Sequence, residues 1–442
     1  MFGTSGIRGP IGETVTADTA LSVGRALASE GYHDIVVGRD PRESGRMLEK
    51  ALTSGLVECG ANVIRLGQAA TPTVARSVSW HDADAGVAIT ASHNPPCDNG
   101  LKLWTPSGQA FDAEQRECIA SCIEAGDFAL SPWDELGETT RYDHADDDHR
   151  QALCTTIESP LDLSVIVDLG TGAGRVTVEV LTELGCAVET LNAQPDGRFP
   201  GRPSEPTAAN CATLRQTVAH TDADLGIAHD GDADRMLAVD ETGTFIPGDV
   251  LLALFAQQAA TPGDRVAAPV DTSLLVDDAL SAQDVTVMRT KVGDVFVAQQ
   301  VTMDDVAFGG EPSGAWIWPE ETLCPDGPLA ACKLAELVAT EESLSTLIED
   351  IETYPIRRQN VETTQKAQVM AAVENLATER YNGDSIEMLD GVRIETENGW
   401  MLIRASGTQP LIRLTTEART ETRADALLSE ANELVATAQT SK

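Results

Sequence analysis

Runs of consecutive apolar residues, many of them β-branched, recur along the chain, and each ends in a small or acidic turn that leads into a helical pattern. Three such runs lie at 34–40, 165–170 and 266–271. An uninterrupted apolar strand followed by an amphipathic helix is typical of parallel α/β units, whose sheets are covered on both faces. Because the runs recur at intervals of roughly a hundred residues or somewhat more, they predict three similar α/β domains in tandem, with mixed sheets.

The last part of the chain follows a different pattern. Short strands are predicted at 391–396, 400–404 and 411–415, and an amphipathic helix rich in alanine, leucine and glutamate comes after them. This combination predicts a smaller C-terminal α+β domain.

The domain boundaries are placed where these patterns stop. An acidic stretch at 143–150 is interpreted as a linker, a second boundary falls near Gly243–Pro247, and a third falls near Tyr354-Pro355, after a helix predicted at 344–351. The predicted domains are 1–150, 151–245, 246–353 and 354–442.

Net charge adds a prediction about the solvent. The 442-residue chain carries 31 basic and 70 acidic residues, for a formal net charge of −39. Such a chain would repel nucleic acid, so no nucleic-acid partner is expected. At ~1 M salt the Debye length is about 3 Å, and self-repulsion is largely screened. Since the acidity is spread along the whole chain, we hypothesise adaptation to a salt-rich cytoplasm.

Hydropathy and cysteine usage limit the cellular location. No apolar run approaches the roughly 20 residues that cross a bilayer, and the first residues lack the features of a secretory signal. The nine cysteines are scattered singly, and their odd number argues against a disulfide framework. We therefore predict a cytoplasmic protein with no membrane partner.

The first loop with candidate chemistry is Thr90–Pro95, which follows an apolar strand at 85–89. It places Ser92 at the carboxyl end of a parallel strand, where α/β folds bind their ligands. A serine-hydrolase triad explains it poorly, because Gly-x-Ser-x-Gly is absent and the adjacent side chains of Ser92 and His93 cannot easily face each other. The alternative for this loop is an ordinary turn. Lys102, ten residues on, is a candidate for proton transfer, and the alternative for it is a solvated surface lysine.

The second loop carries three carboxylates, Asp230, Asp232 and Asp234, at alternate positions between two predicted strands. Such a set can converge on one hard cation with oxygen ligands. An EF-hand is excluded because its sixth position, which requires glycine, is Arg235. Arg235 would suit a phosphate oxygen. An acidic turn in a very acidic protein remains the alternative.

Two further loops offer groups for binding a ligand. The loop at 309–314 contains Glu311 and Ser313, which could accept hydrogen bonds from sugar hydroxyls, although a plain Gly/Pro turn is an equal alternative. The loop at 404–410 combines an arginine, two hydroxyls and glycine-freed backbone N–H groups, which suit a phosphate. The alternative is a hairpin turn.

A competing motif favours another class of enzyme. The segment 167–174 ends a predicted strand in Asp168-Leu169-Gly170-Thr171-Gly172-Ala173-Gly174, as in nucleotide- or adenosylmethionine-binding domains. A methyltransferase is therefore the second function hypothesis, but it leaves the other four loops unexplained.

In this order and spacing, the four loops resemble those of the α-D-phosphohexomutase superfamily, which includes phosphoglucomutases, phosphomannomutases and phosphoglucosamine mutases. The resemblance covers essentially the whole chain. It extends to the opening Phe2-Gly3-Thr4-Ser5-Gly6-Ile7-Arg8-Gly9, to Gly38-Arg39-Asp40, Asp196-Gly197-x-Phe199, Glu205-Pro206 and Asp326-Gly327. The resemblance implies a four-domain, heart-shaped enzyme with one loop from each domain in a central cleft.

The resemblance also implies roles for individual residues. Ser92 would be the phosphorylated nucleophile, with His93 in the loop around its phosphate, and Arg8 and Lys102 would support proton transfer. A phosphoserine oxygen and the carboxylates of Asp230, Asp232 and Asp234 would hold one Mg²⁺ per chain. The residues implied to bind the substrate are Arg235, Lys291, Glu311, Ser313, Arg404, Ser406, Gly407 and Thr408. The implied cycle passes through a bisphosphorylated sugar, and a sugar 1,6-bisphosphate would activate the enzyme.

The sequence departs from the pattern of the superfamily after the third loop. Many relatives carry histidine where this chain has Ala315, followed by Trp316-Ile317-Trp318. The string Gly310–Trp316 is similar to that of archaeal members assigned as phosphoglucosamine mutases, so glucosamine 6-phosphate is the preferred substrate. Glucose and mannose phosphates remain alternatives. The partner expected is this small sugar phosphate, and the chain is expected to be a monomer or a homodimer.

Overall fold

The computed structural model describes residues 2–3, 6–157, 160–340, 343–407 and 410–440. The chain divides into two compact units. The N-terminal unit comprises Met1–Leu251 and Pro312–Glu349, and the C-terminal unit comprises Leu252–Glu311 and Asp350–Lys442. Both units combine strands with helices, which confirms the predicted α/β class. Among the described residues, no helix combines the length and the apolar character needed to cross a membrane.

The first elements of the N-terminal unit are, in chain order, β1 (Ile7–Pro10), α1 (Ala17–Ser29), β2 (Asp34–Arg39), α2 (Gly45–Glu58), β3 (Asn62–Gln68), α3 (Thr71–Trp80), β4 (Ala85–Ile89), β5 (Asp98–Trp104), α4 (Ala113–Ala125), β6 (Thr139–Arg141) and α5 (Ala145–Thr156). Their strands form one sheet in the order β1-β5-β4-β2-β3-β6. The sheet is mixed, because β2 is parallel to β3 and β4 whereas β5 is antiparallel to β1 and β4.

The apolar run on β2 is explained by burial on both faces of this sheet. Ile35 and Val37 belong to one apolar cluster, and Val36 between them belongs to another. Successive side chains of a strand point to opposite faces, so a doubly covered strand needs apolar residues at every position. Arg39 on β2 is level with Ile89 on β4, so the turns that follow both strands meet at the same edge.

The next elements are β7 (Ser164–Asp168), α6 (Arg175–Glu183), β8 (Ala187–Leu191), α7 (Ala212–Ala219), β9 (Leu225–His229), β10 (Met236–Asp240) and α8 (Gly248–Ala259). The strands form a sheet in the order β10-β9-β7-β8. β9 and β10 are antiparallel, and His229 is level with Met236. The six residues between them therefore form a closed loop at the end of a hairpin.

The predicted linker at 143–150 is wrong, because most of it belongs to α5. Asp146, Asp147 and Asp148 lie in the first turn of this helix, where negative charge is favourable. His149 and Leu153 are buried. The acidic composition thus reflected a helix N-terminus, and the boundary proposed at residue 150 falls inside the helix.

The chain continues with β11 (Arg265–Pro269), α9 (Leu274–Ser281), β12 (Thr286–Thr290), α10 (Asp294–Gln300) and β13 (Val306–Glu311) in the C-terminal unit, followed by β14 (Ala315–Ile317), α11 (Gly327–Thr340) and α12 (Leu344–Leu347) in the N-terminal unit. β11 is parallel to β12 and β13. Two predictions are corrected here. Residues 309–311 extend β13 instead of forming a loop. A Cβ on Gly309 would lie 2.6 Å from Val297 on α10, so glycine lets the helix pack this close to the strand. The helix predicted at 344–351 is limited to α12.

The remaining elements belong to the C-terminal unit: β15 (Ile356–Glu362), α13 (Lys366–Arg380), a 3-10 turn (Gly383–Ser385), β16 (Ile386–Glu387), β17 (Val392–Thr396), β18 (Gly399–Ala405), β19 (Leu411–Ala418) and α14 (Glu421–Thr440). The strands form an antiparallel sheet in the order β15-β19-β18-β17-β16. Helices α13 and α14 contribute to the apolar cluster that covers it. The predicted smaller α+β arrangement of this region is present.

Candidate active site

Ser92 lies in the turn after β4, and its side chain is buried. Its backbone φ is 49°, in the left-handed region that residues other than glycine seldom adopt. The N–H of Ser92 donates to Thr90 Oγ1 at 2.8 Å. Its hydroxyl donates to Asp230 Oδ2 at 2.6 Å, across 138 residues of sequence. The candidate nucleophile and the first candidate metal ligand are therefore in direct contact.

Asp230, Asp232 and Asp234 lie in the loop that connects β9 to β10, and all three are buried. One carboxylate oxygen of each lies within 4.8 Å of the other two. The intervening Ala233 has φ of 55°, a value that turns the loop tightly enough for alternate side chains to converge. The three carboxylates thus form one cluster of acidic oxygens.

A glycine allows the serine loop and the aspartate loop to approach each other. A Cβ added to Gly231 would lie 2.7 Å from Ser204 Oγ and 2.9 Å from the Ser92 carbonyl oxygen. Both distances are too short for a side chain. Glycine at this position is therefore required for the contact between Ser92 and the aspartates.

The electrostatics of the three carboxylates fit a divalent cation. Burial and the negative charges of Asp234 and Asp232 raise the pKa of Asp230 well above its ordinary value. Among the described residues, Asp232 Oδ1 is buried without a hydrogen-bond partner, which is unfavourable unless another group binds there. Since Mg²⁺ prefers carboxylate oxygens, these residues suit it well.

Lys102 lies on β5 with its side chain buried, so the interpretation as a solvated surface lysine is wrong. Its ammonium donates to Asp232 Oδ2 at 2.9 Å and also contacts Asp234 Oδ2. Thr71, the first residue of α3, donates its hydroxyl to the same oxygen of Asp232 at 2.6 Å. Burial raises the pKa of Asp232, but Lys102 and Thr71 outweigh it and hold that pKa below its usual range. Asp232 is therefore an anion that two donors hold in place.

His93 lies next to Ser92 in space as well as in sequence. Its Nδ1 is 3.4 Å from Ser92 Oγ, so the expectation that the two side chains could not face each other is wrong. The left-handed backbone at Ser92 makes the turn tight enough to bring both side chains together. Burial, followed by the charges of Arg235, Arg8 and Lys102, lowers the pKa of His93 to about 2. The imidazole is therefore neutral at ordinary pH.

The two remaining candidates of this cluster are arginines. Arg8 on β1 lies level with Gly100 on β5, and its guanidinium is 3.5 Å from Asn94 Oδ1. The backbone N–H of Arg235 donates to Asp230 Oδ1 at 3.3 Å. Its backbone also forms a β-bridge with Ala315, the position where the resemblance leads us to expect histidine. Arg8 thus contacts the loop that carries Ser92, and Arg235 belongs to the loop that carries the carboxylates.

The C-terminal unit holds most of the other candidates. Glu311 ends β13, where its carboxylate accepts from the N–H of Gly293 at 2.6 Å. Lys291, two residues before that glycine, is exposed, and its ammonium lies 5.7 Å from the centre of the Phe296 ring. Ser313, the other candidate of this loop, belongs to the N-terminal unit and is half-buried.

The predicted phosphate loop follows β18 in the C-terminal unit. Arg404 donates to Asp390 Oδ2 at 2.9 Å, Ser406 is buried and Gly407 is exposed. Thr408 lies outside the described residues. Lys366, at the start of α13, donates to the carbonyl oxygen of Ser406. Lys366 was not predicted from the sequence, although lysine is rare in this chain and its position could have drawn attention to it. Thr71, which donates to Asp232, has no such feature in the sequence.

The glycines at 170–174 pack against the aspartate loop. A Cβ on Gly172 would lie 2.8 Å from the carbonyl oxygens of Asp230 and Gly231. The carboxylate of Asp168 accepts from Arg202 Nε at 2.7 Å. These glycines therefore form a tight strand–helix turn that supports the aspartate loop, which accounts for the motif without a nucleotide.

Comparison with known proteins covers nearly the entire chain. Four models of the phosphoglucomutase/phosphomannomutase family match it: alpha/beta/alpha domain I at residues 1–130, domain II at 147–243, domain III at 247–354 and the C-terminal domain at 359–434. Among solved structures, a phosphoglucomutase/phosphomannomutase family protein from Burkholderia thailandensis has a TM-score of 0.88 and 26% identity, covering 100% of this chain and 99% of that one.

Relatives known by sequence are more similar. A probable phosphoglucosamine mutase from Methanococcoides burtonii is 45% identical over 438 residues, 98% of each chain. Another from Methanothermobacter thermautotrophicus is 45% identical over 431 residues, 96% of this chain and 95% of that protein. Such identity along almost the full length, together with the four domain models, shows that the chain belongs to the phosphoglucomutase/phosphomannomutase family and is a phosphohexomutase, an isomerase that transfers a phosphoryl group.

Proposed function

We propose that this phosphohexomutase interconverts glucosamine 6-phosphate and glucosamine 1-phosphate by carrying a phosphoryl group on Ser92. The observation that carries the proposal is the 2.6 Å hydrogen bond from Ser92 Oγ to Asp230, within a buried cluster of carboxylates. A hydroxyl beside such a cluster and the ammonium of Lys102 is suited to receive a phosphoryl group. The two relatives named probable phosphoglucosamine mutases support glucosamine as the sugar.

In the proposed cycle, phosphorylated Ser92 donates its phosphoryl group to the free hydroxyl of the sugar monophosphate. The P–O bond to Ser92 breaks and a P–O bond to the sugar oxygen forms. The proton of the sugar hydroxyl is transferred by a group of the site and ends on Ser92 Oγ. The resulting sugar 1,6-bisphosphate then returns its other phosphoryl group to Ser92. Lys102 is the candidate proton carrier, with Arg8 and His93 completing its surroundings.

Asp230, Asp232 and Asp234, with an oxygen of the phosphoserine, would hold one Mg²⁺, which when bound supplies positive charge beside the transferring phosphoryl group. The chain's own residues orient the reacting oxygen. Asp230 accepts from Ser92 Oγ, and Lys102 and Thr71 fix Asp232.

Recognition of the substrate is assigned mainly to the C-terminal unit. Glu311 and Ser313 would accept hydrogen bonds from the sugar, and Arg235 and Lys291 would reach the transferring phosphate or the sugar. The phosphate that does not react would bind to Arg404, Ser406, Gly407 and Thr408. Donors from an arginine and from glycine-freed backbone are those that a phosphate requires.

The domain division, activator, oligomeric state and cellular location of the enzyme also belong to the proposed function. The four family models support a division into four domains close to the predicted boundaries. We further propose a sugar 1,6-bisphosphate as activator, a monomer or homodimer in a salt-rich cytoplasm, and no nucleic-acid partner, the last because of the net charge of −39.

A comparative assay tests the sugar. Purified enzyme in molar salt with Mg²⁺ is given glucosamine, glucose and mannose 6-phosphates, each with its 1,6-bisphosphate. We expect the highest kcat/KM for glucosamine 6-phosphate. A higher value for glucose or mannose would overturn the choice of sugar and leave the phosphohexomutase activity intact.

A second experiment tests whether Ser92 carries the phosphoryl group. Wild-type enzyme treated with sugar bisphosphate should gain the mass of one phosphate in the peptide that contains Ser92. Ser92→Ala should not show that mass shift, and its turnover should be lower by about 10⁴-fold or more. Ser77→Ala is the matched control, because Ser77 is also buried in the N-terminal unit but donates to the Thr73 carbonyl on α3. Full turnover by Ser92→Ala would refute the role of Ser92.

A further inference from the structure

Arg42 is a fully buried arginine beside the serine loop, which we define as residues 90–98. It follows β2 by three residues, and its exposed fraction is 0%. Burying a guanidinium is costly unless its charge is paired and each N–H finds an acceptor. The pairing is supplied by Asp40, whose carboxylate accepts from Arg42 Nε at 2.9 Å and from the Arg42 backbone N–H at 2.9 Å.

The other guanidinium donors all point at the serine loop. An arginine has five side-chain N–H groups, and with one bound to Asp40 the remaining four can each meet one backbone carbonyl of the loop. These carbonyls belong to Ser92 (2.8 Å), Asn94 (2.7 Å), Pro95 (2.5 Å) and Asp98 (2.9 Å). One planar group thus fixes the path of seven residues around the candidate nucleophile.

The backbone of Ser92 needs such support. A non-glycine residue with φ near 49° is strained and persists only where its surroundings enforce it. Its carbonyl oxygen accepts from both Arg42 and Ser204. Its N–H donates to Thr90 Oγ1, and the Thr90 hydroxyl donates to Asp40 at 2.8 Å. Both sides of the Ser92 backbone are therefore connected to the pair formed by Asp40 and Arg42.

The loop between β8 and α7 also packs against this pair. The ring of Phe199 lies 4.9 Å from the Arg42 guanidinium, a distance suited to a cation–π contact. A Cβ on Gly197 would lie 2.4 Å from Arg42 Cα, so this segment can lie against Arg42 only with glycine there. Arg42 is therefore in contact with this loop as well as with the serine loop.

From this geometry we propose that Arg42 is a positioning residue for phosphoryl transfer, which holds Ser92 Oγ in place against the aspartates. The proposal rests on the proposed role of Ser92. A phosphoryl group must leave and return to the same oxygen in each cycle, so the loop must keep its shape in both states. Lysine cannot replace Arg42, because its single nitrogen has three donors and cannot reach acceptors spread around a planar group.

The test compares phosphoryl transfer to Ser92 in Arg42→Lys and wild-type enzyme. Single-turnover transfer from a sugar 1,6-bisphosphate is followed by intact mass. We expect the rate to fall by about 10²-fold, the scale of a small misplacement of a reacting group, while KM changes little and Mg²⁺ binding remains. Arg76→Lys is the matched control, because Arg76 is another buried arginine of the same unit whose acceptors, Asp326 and the Glu321 carbonyl, do not belong to the serine loop.

A second variant separates positioning from folding. Arg42→Ala should transfer slowly and recover at least part of its rate when free guanidinium is added, which a generally misfolded protein would not do. If neither Arg42 variant folds, Phe199→Leu is tested instead, because it removes the ring beside the guanidinium and leaves Arg42 in place. A slower transfer to Ser92 with Mg²⁺ binding unchanged would support the proposal, and transfer at the wild-type rate would overturn it.

The outcomes distinguish the two proposals. Transfer at the wild-type rate in the folded variants would overturn the role of Arg42 and leave the role of Ser92 intact. Phosphorylation of wild-type enzyme at a residue other than Ser92 would overturn both.

Discussion

The two units of the protein hold their candidate residues in different ways. In the N-terminal unit, Ser92, Asp230, Asp232 and Lys102 are all buried and joined by hydrogen bonds. In the C-terminal unit, by contrast, Lys291 and Gly407 are exposed and the Arg404 side chain is 21% exposed, paired with Asp390. The N-terminal set is fixed within the fold. The C-terminal set is mixed, because Lys291 and Gly407 face solvent whereas Glu311 and Ser406 are buried.

This difference fits the roles that we propose for each set. Groups that stabilise charge in a transition state are most effective when they are already in place, because no energy is then spent on orienting them during the reaction. Groups that bind the substrate can become ordered on binding, at some cost in affinity. We therefore expect substitutions in the N-terminal unit to act mainly on kcat and those in the C-terminal unit mainly on KM.

Among the changes that test this contrast between the two units, the largest effect is expected from Asp232→Asn. The amide keeps the size of the carboxylate but removes a charge from the proposed metal site and the partner of Lys102. We expect kcat to fall by about 10²-fold or more at saturating substrate, because the charge acts in the transition state. Steady-state kinetics with a Mg²⁺ titration measures the fall, and calorimetry measures Mg²⁺ binding directly.

Asp240→Asn is the control for this substitution. Asp240 is a buried aspartate on β10, but its carboxylate accepts from the N–H groups of Thr242 and Thr244 in the turn beyond the strand. Its substitution should leave kcat nearly unchanged. Normal turnover and normal Mg²⁺ binding in Asp232→Asn would refute the metal assignment.

The sequence was sufficient to predict the elements that depend on local pattern. The apolar run of β2 predicted a strand buried on both faces, and the spacing of Asp230, Asp232 and Asp234 predicted one cluster of oxygens. Both predictions depend only on residues close together in the chain. The linker predicted at 143–150 was wrong because acidic residues are common both in linkers and in the first turn of a helix such as α5.

Features that depend on distant contacts could not be predicted. Lys102 is buried only because β5 brings it to carboxylates 130 residues away. Arg42 lies in an ordinary polar turn of the sequence, and its importance becomes visible only when four carbonyls of another loop converge on it. The contact between Ser92 and His93 needed the left-handed backbone at Ser92, which no residue-type rule predicts for serine.

A smaller effect is expected from Arg404→Ala in the C-terminal unit. A charge-assisted hydrogen bond to a phosphate contributes about 1.5–3 kcal/mol, so KM should rise about tenfold to a hundredfold. Because the phosphate proposed to bind Arg404 does not react, kcat should change less than KM. Initial-rate measurements over a range of sugar phosphate concentrations separate the two constants.

The control for Arg404→Ala is Arg423→Ala, which also removes one positive charge from the C-terminal unit. Arg423 lies on α14 and pairs with Glu430 on the same helix. It should leave KM unchanged. If Arg404→Ala instead lowered kcat at constant KM, the division of labour between the two units would be wrong.

The smallest effect on turnover is expected from lowering the salt concentration. Even if every one of the 31 basic residues paired with a carboxylate, most of the 70 acidic residues would remain unpaired, so the surface repels itself. Lowering salt from ~1 M to ~0.1 M lengthens the Debye length from about 3 Å to about 10 Å, and the melting temperature should fall. Buried pairs such as Lys102 with Asp232 are screened much less, so turnover per folded molecule should change only a few-fold.

Thermal unfolding and activity are measured together along a KCl series, and a parallel series replaces salt by sucrose. Sucrose favours compact states without screening charge, so stability restored equally by sucrose would show that repulsion is not the cause of the loss. An unchanged melting temperature would refute adaptation to salt. The other outcome is that turnover is lost while the protein is still folded. That result would show that the buried cluster around Ser92 also depends on the ions of the solvent. The reaction centre would then not be fixed while only the surface responds to salt.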